Sequence, residues 1–225
     1  ASLQSDQVSA LTTRQIGVVA STQIAALGSD QLAGLTSSQL SSLSTVQFGA
    51  LASQQFSTLD SDQIQSFTTR QLGVMTTTQL AGFGTDQIGS LATTQVVALT
   101  TEQFSNLSAA QIAGFDTEQI SAIQTLDISI LSATQVGALT TDQLGGVTTT
   151  QISVLGTDQL DDLVAADIAS LTTDQVGALT TAQTNALEMA KLANLTSDQF
   201  GALQNANVIA LGTAFTDVIT TDQLQ

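Results

Sequence analysis

Residues 139–144 read Leu-Thr-Thr-Asp-Gln-Leu, and a string of this kind returns every eight residues along the chain. Its glutamine, Gln143, belongs to a column of 28 registers, 23 of which hold Gln. The other registers keep the phase and hold Asp127, Asp167, Lys191, Asn207 and Phe215. An unbroken period is typical of repeat architectures. We therefore predict that residues 1–225 form one uninterrupted octapeptide array, with degenerate repeats over residues 184–219.

Two apolar columns run through the octad when it is numbered from its glutamine. Position 2 is apolar in 26 of 28 registers, with Thr184 and Thr216 as exceptions, and position 5 is apolar in all 28. Positions 3 and 4 are mostly Gly, Ala or Ser, so neighbouring backbones can approach closely. Position 8 varies most and is predicted to face solvent. The predicted core includes Ile88 and Ile152 at position 2 and Leu91, Leu99, Leu131 and Leu139 at position 5.

The spacing of the apolar columns excludes a long regular element. Apolar residues alternate at intervals of three and five, and odd intervals place successive residues on opposite faces of a strand. In a continuous α-helix, eight residues turn through roughly 800°, so an apolar stripe drifts around the axis. The secondary structure must therefore end and begin again within every octad.

The start signal is a capping box. Thr140 and Gln143 form the Ser/Thr-x-x-Gln pattern, in which hydroxyl and amide cap each other's backbone N–H groups. Leu139 and Leu144 flank the box as a hydrophobic staple, and Asp142 lies where the helix dipole favours an anion. Position 7 holds Ser or Thr more uniformly than position 6, so the alternative that the N-cap lies one residue later, at position 7, stays open.

These signals predict an all-α solenoid of very short capped helices, one per octad. Isolated helices of this length are unstable in water, so stacked neighbours must bury their apolar columns. The alternative is a β-solenoid with Gln and Thr ladders, which Thr, Ile and Val favour and which Ala, Leu and Gln oppose. We predict a structural role, as a cap or ladder, for the glutamine column; its representative members are Gln63, Gln71, Gln79, Gln87, Gln95, Gln135, Gln143 and Gln151.

Charge and composition exclude several classes of function. Asp and Glu number 19 against three Lys and Arg, a net charge of −16, so we expect no nucleic-acid partner. The chain has no Cys and no His, which excludes thiolate metal sites and the Ser–His type of nucleophilic catalysis. Apolar runs are too short to span a bilayer, and we expect no membrane insertion.

No catalytic, metal or cofactor site is predicted, and we expect no enzyme activity. Two acidic clusters are where calcium would bind if any metal did. The denser cluster holds Asp158, Asp161, Asp162 and Asp167, and the second is the pair Asp116 and Glu118. The chain has no calcium-loop motif, so a solvated acidic face is the preferred interpretation of both.

The tandem Leu-Thr-Thr-x-Gln-apolar octads resemble repeat regions of large secreted or surface proteins of proteobacteria, some of them adhesins. This resemblance implies a bacterial protein at the cell surface or outside the cell, with a structural role as a stalk, matrix component or filament. The expected partner is the protein itself, joined end to end, or further repeats of the same chain. The alternative is a binding module, adhesin-type or ice-binding, that displays regular Thr, Ser and Gln columns.

Overall fold

A computed structural model of the protein describes residues 4–187 and 189–212. Within them lie 26 α-helices of four to seven residues and no β-strand, so the prediction of an all-α fold is confirmed for this part and the β-solenoid has no support. The helices are α1 Ser5–Ser9, α2 Thr13–Val18, α3 Ser21–Ala25, α4 Ser29–Ala33, α5 Ser37–Ser42, α6 Thr45–Gly49, α7 Ser53–Phe56, α8 Ser61–Gln65, α9 Thr69–Val74, α10 Thr77–Leu80, α11 Thr85–Gly89, α12 Thr93–Val96, α13 Thr101–Ser105, α14 Ala109–Ile112, α15 Thr117–Ala122, α16 Thr125–Ser129, α17 Ala133–Val136, α18 Thr141–Gly146, α19 Thr149–Val154, α20 Thr157–Asp161, α21 Ala165–Ser170, α22 Thr173–Gly177, α23 Thr181–Ala186, α24 Met189–Leu192, α25 Ser197–Gly201 and α26 Asn205–Leu211.

Each helix begins directly after position 6 of its octad. Thr68, for example, has extended backbone angles (φ −75°, ψ 153°), and its hydroxyl accepts the backbone N–H of Gln71 at 3.2 Å. The N-cap is therefore position 6, three residues before the glutamine, and position 7 is the first helical residue. Where position 6 is Ala20 or Gly28, no hydroxyl is present and the glutamine side chain alone caps the helix.

Each helix ends between positions 2 and 5 of its octad, and the chain turns back at position 5. The N–H of Leu43 donates to the carbonyl of Leu40 at 3.2 Å, and Val147 repeats this bond to Leu144 at 3.1 Å. Most helices end without a left-handed residue; Gly212 alone among the described residues has a positive φ, 62°. This short 3₁₀-type bond closes the helix, and the chain then continues to the next N-cap.

The chain divides into two compact units, Ala1–Phe115 and Asp116–Gln225. In the first unit α1 packs against α4 and α4 against α7, and in the second α15 packs against α18 and α18 against α21. Helices three octads apart thus pack against each other, and close contacts such as Thr117–Gly146 and Gln71–Leu40 join residues 29 and 31 positions apart. One circuit therefore takes between three and four octads, and we call it a turn. The predicted single uninterrupted array stays a prediction. Phe215, Thr216 and the end of the degenerate stretch lie outside the described residues.

Positions 2 and 5 lie inside both units. The predicted core residues are 0–5% exposed: Ile88, Leu91, Leu99, Leu131, Leu139 and Ile152. Thr184, the polar exception at position 2, is 0% exposed, and its hydroxyl donates to the carbonyl of Thr180 at 3.1 Å. A buried hydroxyl is thus satisfied within its own helix, and the core accommodates it without an unpaired donor.

Glycine at positions 3 and 4 allows neighbouring turns to touch through their backbones. A Cβ added to Gly114 would lie 2.8 Å from the carbonyl oxygen of Thr85, and one added to Gly146 would lie 2.8 Å from that of Thr117. Real Cβ atoms do not approach a backbone oxygen so closely. These positions therefore need glycine for packing, since helix propensity alone would favour alanine.

Candidate functional site

The side-chain carbonyl oxygen of each described column glutamine caps its own helix. The Oε1 atom of Gln71 accepts the backbone N–H of Thr68 at 2.8 Å and the Thr68 hydroxyl at 3.0 Å. The hydroxyl in turn accepts the Gln71 N–H, so two N-terminal N–H groups that lack intrahelical partners are satisfied. This is the capping box expected from the sequence, and it fixes the orientation of the glutamine amide.

The amide nitrogen of the same side chain reaches the preceding turn. The Nε2 atom of Gln71 donates to the carbonyls of Leu40, at 2.8 Å, and Leu43, at 3.0 Å, which lie 31 and 28 residues earlier. Both carbonyls belong to the C-terminal end of α5, where a helix leaves its last C=O groups unpaired. One buried amide therefore caps two helices, its own at the N-terminus and an earlier one at the C-terminus.

The predicted column residues repeat this geometry. Gln63, Gln79, Gln87, Gln95 and Gln151 each accept an N-cap N–H through Oε1 and donate through Nε2 to carbonyls 28 to 31 residues earlier. Gln135 and Gln143 accept the N–H groups of Ser132 at 2.7 Å and Thr140 at 2.8 Å. All of these glutamines are buried except Gln87, which is partly exposed. A separation of 28 residues is three and a half octads, which is the length of a turn.

Three of the residues that replace glutamine in the column keep one of its two roles, either the donor of a bond to an earlier turn or the acceptor of the N-cap N–H. Lys191 keeps the donor: its Nζ bonds the backbone carbonyl of Asp161 and pairs with the Asp161 carboxylate at 3.1 Å. Asn207 donates to the carbonyl of Leu179 at 2.8 Å. Asp167 keeps the acceptor and receives the N–H of Val164 at 3.0 Å. Lys191 and Asn207 thus keep the donor's bond to an earlier turn, and Asp167 keeps the acceptor's bond to its own N-cap.

Asp127 is the exception that fits the column least well. Its side chain is 3% exposed, and its Oδ1 atom has no hydrogen-bond partner within the described part of the chain. A carboxylate has no N–H to donate, and a buried oxygen without a partner costs free energy. This register is therefore the weakest point of the described column.

The remaining polar groups lie mainly at the surface. Asp158, Asp161 and Asp162 are exposed and Asp167 is partly exposed. No group of three or more His, Cys, Asp or Glu side chains in residues 4–187 and 189–212 is placed to hold a metal ion. In the second acidic pair, Asp116 is an N-cap, whose Oδ1 accepts the N–H of Gln119 at 2.7 Å. Hydroxyls at position 6 cap helices, and Ser29 and Ser37 at position 7 donate to backbone carbonyls 25 residues ahead, at 3.3 Å.

The backward reach of the glutamine is the functional feature that sequence reasoning did not find. A capping box needs only an acceptor at its fourth position, so Glu would serve as well as Gln. The column holds no Glu in any of its 28 registers. This preference for an amide over a carboxylate was the available signal that the donor nitrogen is needed too.

The geometry defines a class of protein, an α-helical repeat protein in which stacked octads are tied together by a polar column. The ALTTAQ repeat family model matches residues 67–101, 120–157 and 152–189, in three tandem positions. The string that names this repeat occurs unbroken at residues 178–183, from position 4 to the glutamine. A search of curated proteins finds no match. No helix in the described residues is long and apolar enough to cross a membrane.

Proposed function

We propose that this protein is an extracellular or cell-surface structural element, a filament or a stalk or matrix segment, that extends by continuation of its octad stack. The observation that carries the proposal is the double cap made by column glutamines such as Gln71 and Gln103. Two bonds from Gln71 to Leu40 and Leu43 tie one turn to the turn before it, and the same pair recurs from Gln103 to Leu72 and Met75. Separation of two turns would break several such bonds together.

The partners of these bonds favour extension. The glutamines that make the double cap bind backbone carbonyls, which every octad presents whatever its side chains are. Stacking of one octad turn on another therefore depends little on the residues at position 8, and an array can grow by adding units. A structural element of variable length needs this property, whereas a catalyst does not.

The outer surface supports the same proposal. Position 8 carries exposed carboxylates in both units, among them Asp6, Asp30, Asp62, Asp142 and Asp174. The net charge of −16 produces like-charge repulsion that opposes side-by-side aggregation. At about 0.1 M salt this repulsion extends only over about 10 Å. The location outside the cell is what the resemblance to bacterial surface repeats implies.

Stretching single molecules by force spectroscopy tests this function. With both ends anchored, we expect unfolding in successive steps, each releasing about one turn of 28 to 31 residues, or roughly 100 Å of extended chain. Gln71→Ala should lower the force of one step, while Thr94→Ala, at an exposed position, should leave all steps unchanged. Smooth extension at the low force of a disordered chain would contradict a mechanical role.

The second candidate is a binding module, adhesin-type or ice-binding. It gains support from the exposed position 8 column and from those position 7 hydroxyls that make no cap. Thermal hysteresis, or retention on an immobilised glycan, would favour this function over the structural one. Because most position 6 hydroxyls are used as caps, the hydroxyls left to such a surface are those of position 7, and we rank this function second.

A further inference from the structure

The Ala1–Phe115 unit carries the two arginines of the chain at exposed positions. Arg14 and Arg70 both occupy position 8, which is exposed in every described octad. The only other basic side chain is Lys191, which is buried and paired with Asp161. Neither arginine forms an ion pair or a side-chain hydrogen bond among the described residues. Two cations are thus available for a partner on a protein whose net charge is −16.

Arg14 and Arg70 lie on the same side of the unit because they are two turns apart. The hydroxyl of Ser29 donates to the carbonyl of Gln54, 25 residues ahead, and the carbonyl of Ser29 accepts the hydroxyl of Thr58, 29 residues ahead. Residues 28 positions apart are therefore neighbours in adjacent turns, as the glutamine bonds of that span also show. The two arginines are 56 positions apart, which is twice this interval.

Exposed valines accompany the two arginines. Val74 lies four residues after Arg70 on the same side of α9, and Val46 stands 28 positions before Val74, in the preceding turn. The two valines are 44% and 70% exposed, although α6 and α9 both have neighbouring helices on either side. Apolar area beside unpaired charge is typical of a protein contact, in which the charge selects the partner. We call Arg14, Val46, Arg70 and Val74 the arginine–valine face.

The chain carries the complementary charge at the same spacing. In the Asp116–Gln225 unit, Glu118 and Asp174 are exposed at position 8 and are also 56 positions apart. A bond from Gln151 to Ile123 spans 28 residues here too, so these carboxylates lie on one side of their unit, two turns apart. Because the same repeat geometry sets both separations, the arginine pair of one copy matches the carboxylate pair of another in spacing.

The residue between the two carboxylates suits the valines. Thr150 stands between the members of the Glu118–Asp174 pair at the place that Val46 takes between the arginines, and it is exposed and uncharged. In the Asp142–Asp198 pair, which has the same spacing, this place holds Asp174. A valine packed there would remove a carboxylate from water, at a cost in free energy. The Glu118–Asp174 pair is therefore the better complement.

We propose, on the basis of the structural function above, that a second copy of this chain docks side by side on the arginine–valine face through its Glu118 and Asp174. Each guanidinium can form a bidentate pair with a carboxylate, while the valines exclude water from part of the contact. Position 8 holds no other cation in any octad, so like-charge repulsion opposes side-by-side contact elsewhere on this surface. The contact therefore joins neighbouring elements in one register.

Replacement of the two arginines by glutamine isolates this contact. Arg14→Gln/Arg70→Gln should leave the melting temperature nearly unchanged, because position 8 is exposed and already holds glutamine at Gln54. The matched control is Thr22→Glu/Thr78→Glu, at two exposed position 8 residues that are also 56 positions apart. Both double variants make the net charge two units more negative than −16, so the overall repulsion is the same.

Sedimentation velocity over a concentration series, in physiological salt, gives the result. We expect the unsubstituted chain and the control to gain mass with concentration, while the Arg14→Gln/Arg70→Gln variant associates at least about fivefold more weakly. Equal association of the variant and the control would overturn the proposal. An unsubstituted chain that stays monomeric at every concentration would overturn it as well, even if the two arginines bind dextran sulfate as another anionic partner.

A charge exchange tests the identity of the docking surface. Arg14→Glu/Arg70→Glu and Glu118→Arg/Asp174→Arg should each associate poorly alone, because like charges meet, and an equimolar mixture of the two should regain the association. A mixture that associates no better than either variant alone would contradict docking through Glu118 and Asp174. The force steps of single molecules need no second copy, so failure of this proposal is distinguishable from failure of the structural function.

Discussion

Gln151 donates its side-chain Nε2–H to the backbone carbonyl of Ile123, 28 residues earlier, at 2.7 Å. The same side chain accepts the N–H of Thr148 at 2.8 Å through Oε1. Because the amide is 1% exposed, water cannot replace either bond, and both helix ends depend on it. This relationship recurs along the column, so the stability of the fold depends on these amides and on the packing that brings the turns together.

Two adjacent glycines in α18 should respond in opposite ways to alanine. A Cβ at Gly146 would lie 2.8 Å from the carbonyl of Thr117, whereas one at Gly145 would have nothing within 4 Å. We expect Gly146→Ala to destabilise the protein by about 1–3 kcal/mol through overpacking. Gly145→Ala should instead stabilise it by up to about 1 kcal/mol through helix propensity. Urea unfolding of both variants measures the difference, and equal effects would show that the turns do not touch there.

The apolar columns should carry most of the stability within an octad. Ile152 is 0% exposed, while Thr150, two residues earlier in α19, is exposed. Ile152→Ala should reduce the free energy of unfolding by about 2–5 kcal/mol, since a cavity replaces a buried side chain. Thr150→Ala should change it by no more than about 0.5 kcal/mol. Similar losses from both substitutions would contradict the assignment of the columns.

Restoring the consensus amide at the weakest register should stabilise the protein. Asp127 is buried with an unpaired oxygen, and Asp127→Gln supplies the missing donor as well as an acceptor. We expect a gain of about 1–2 kcal/mol in the free energy of unfolding at neutral pH. The control is Asp142→Gln, which removes the same charge at an exposed position and should change stability by less than about 0.5 kcal/mol. A loss of stability in Asp127→Gln would mean that this register does not follow the column.

The local part of the fold could be predicted from the sequence because its signals are local. The box from Thr140 to Gln143 spans four residues, and its hydrogen bonds depend only on those residues. Position 6 rather than position 7 is the N-cap because only position 6 lies three residues before the glutamine. The hydroxyl pattern alone left that choice open, since both positions are rich in Ser and Thr.

The stacking of the turns could not be predicted in the same way. The octad sequence does not specify how many octads make up one turn, because that number depends on how the side chains at positions 2 and 5 fill the interior. The contacts between Gln71 and Leu43, or between Gly146 and Thr117, join residues 28 or 29 positions apart. A strict eight-residue period is equally compatible with any such separation, so the second role of the glutamine was not derivable from the pattern.

The most direct test of the double cap is the same substitution made in a covered and in an uncovered turn. Gln71→Glu keeps the acceptor for Thr68 but places a carboxylate against the carbonyls of Leu40 and Leu43, whereas the Gln15 amide donates to no such carbonyl among the described residues. Denaturant unfolding should show a loss of about 3 kcal/mol or more for Gln71→Glu and less than about 0.5 kcal/mol for Gln15→Glu. Equal, small losses in both variants would contradict the claim that the glutamine amide caps the helix of the preceding turn.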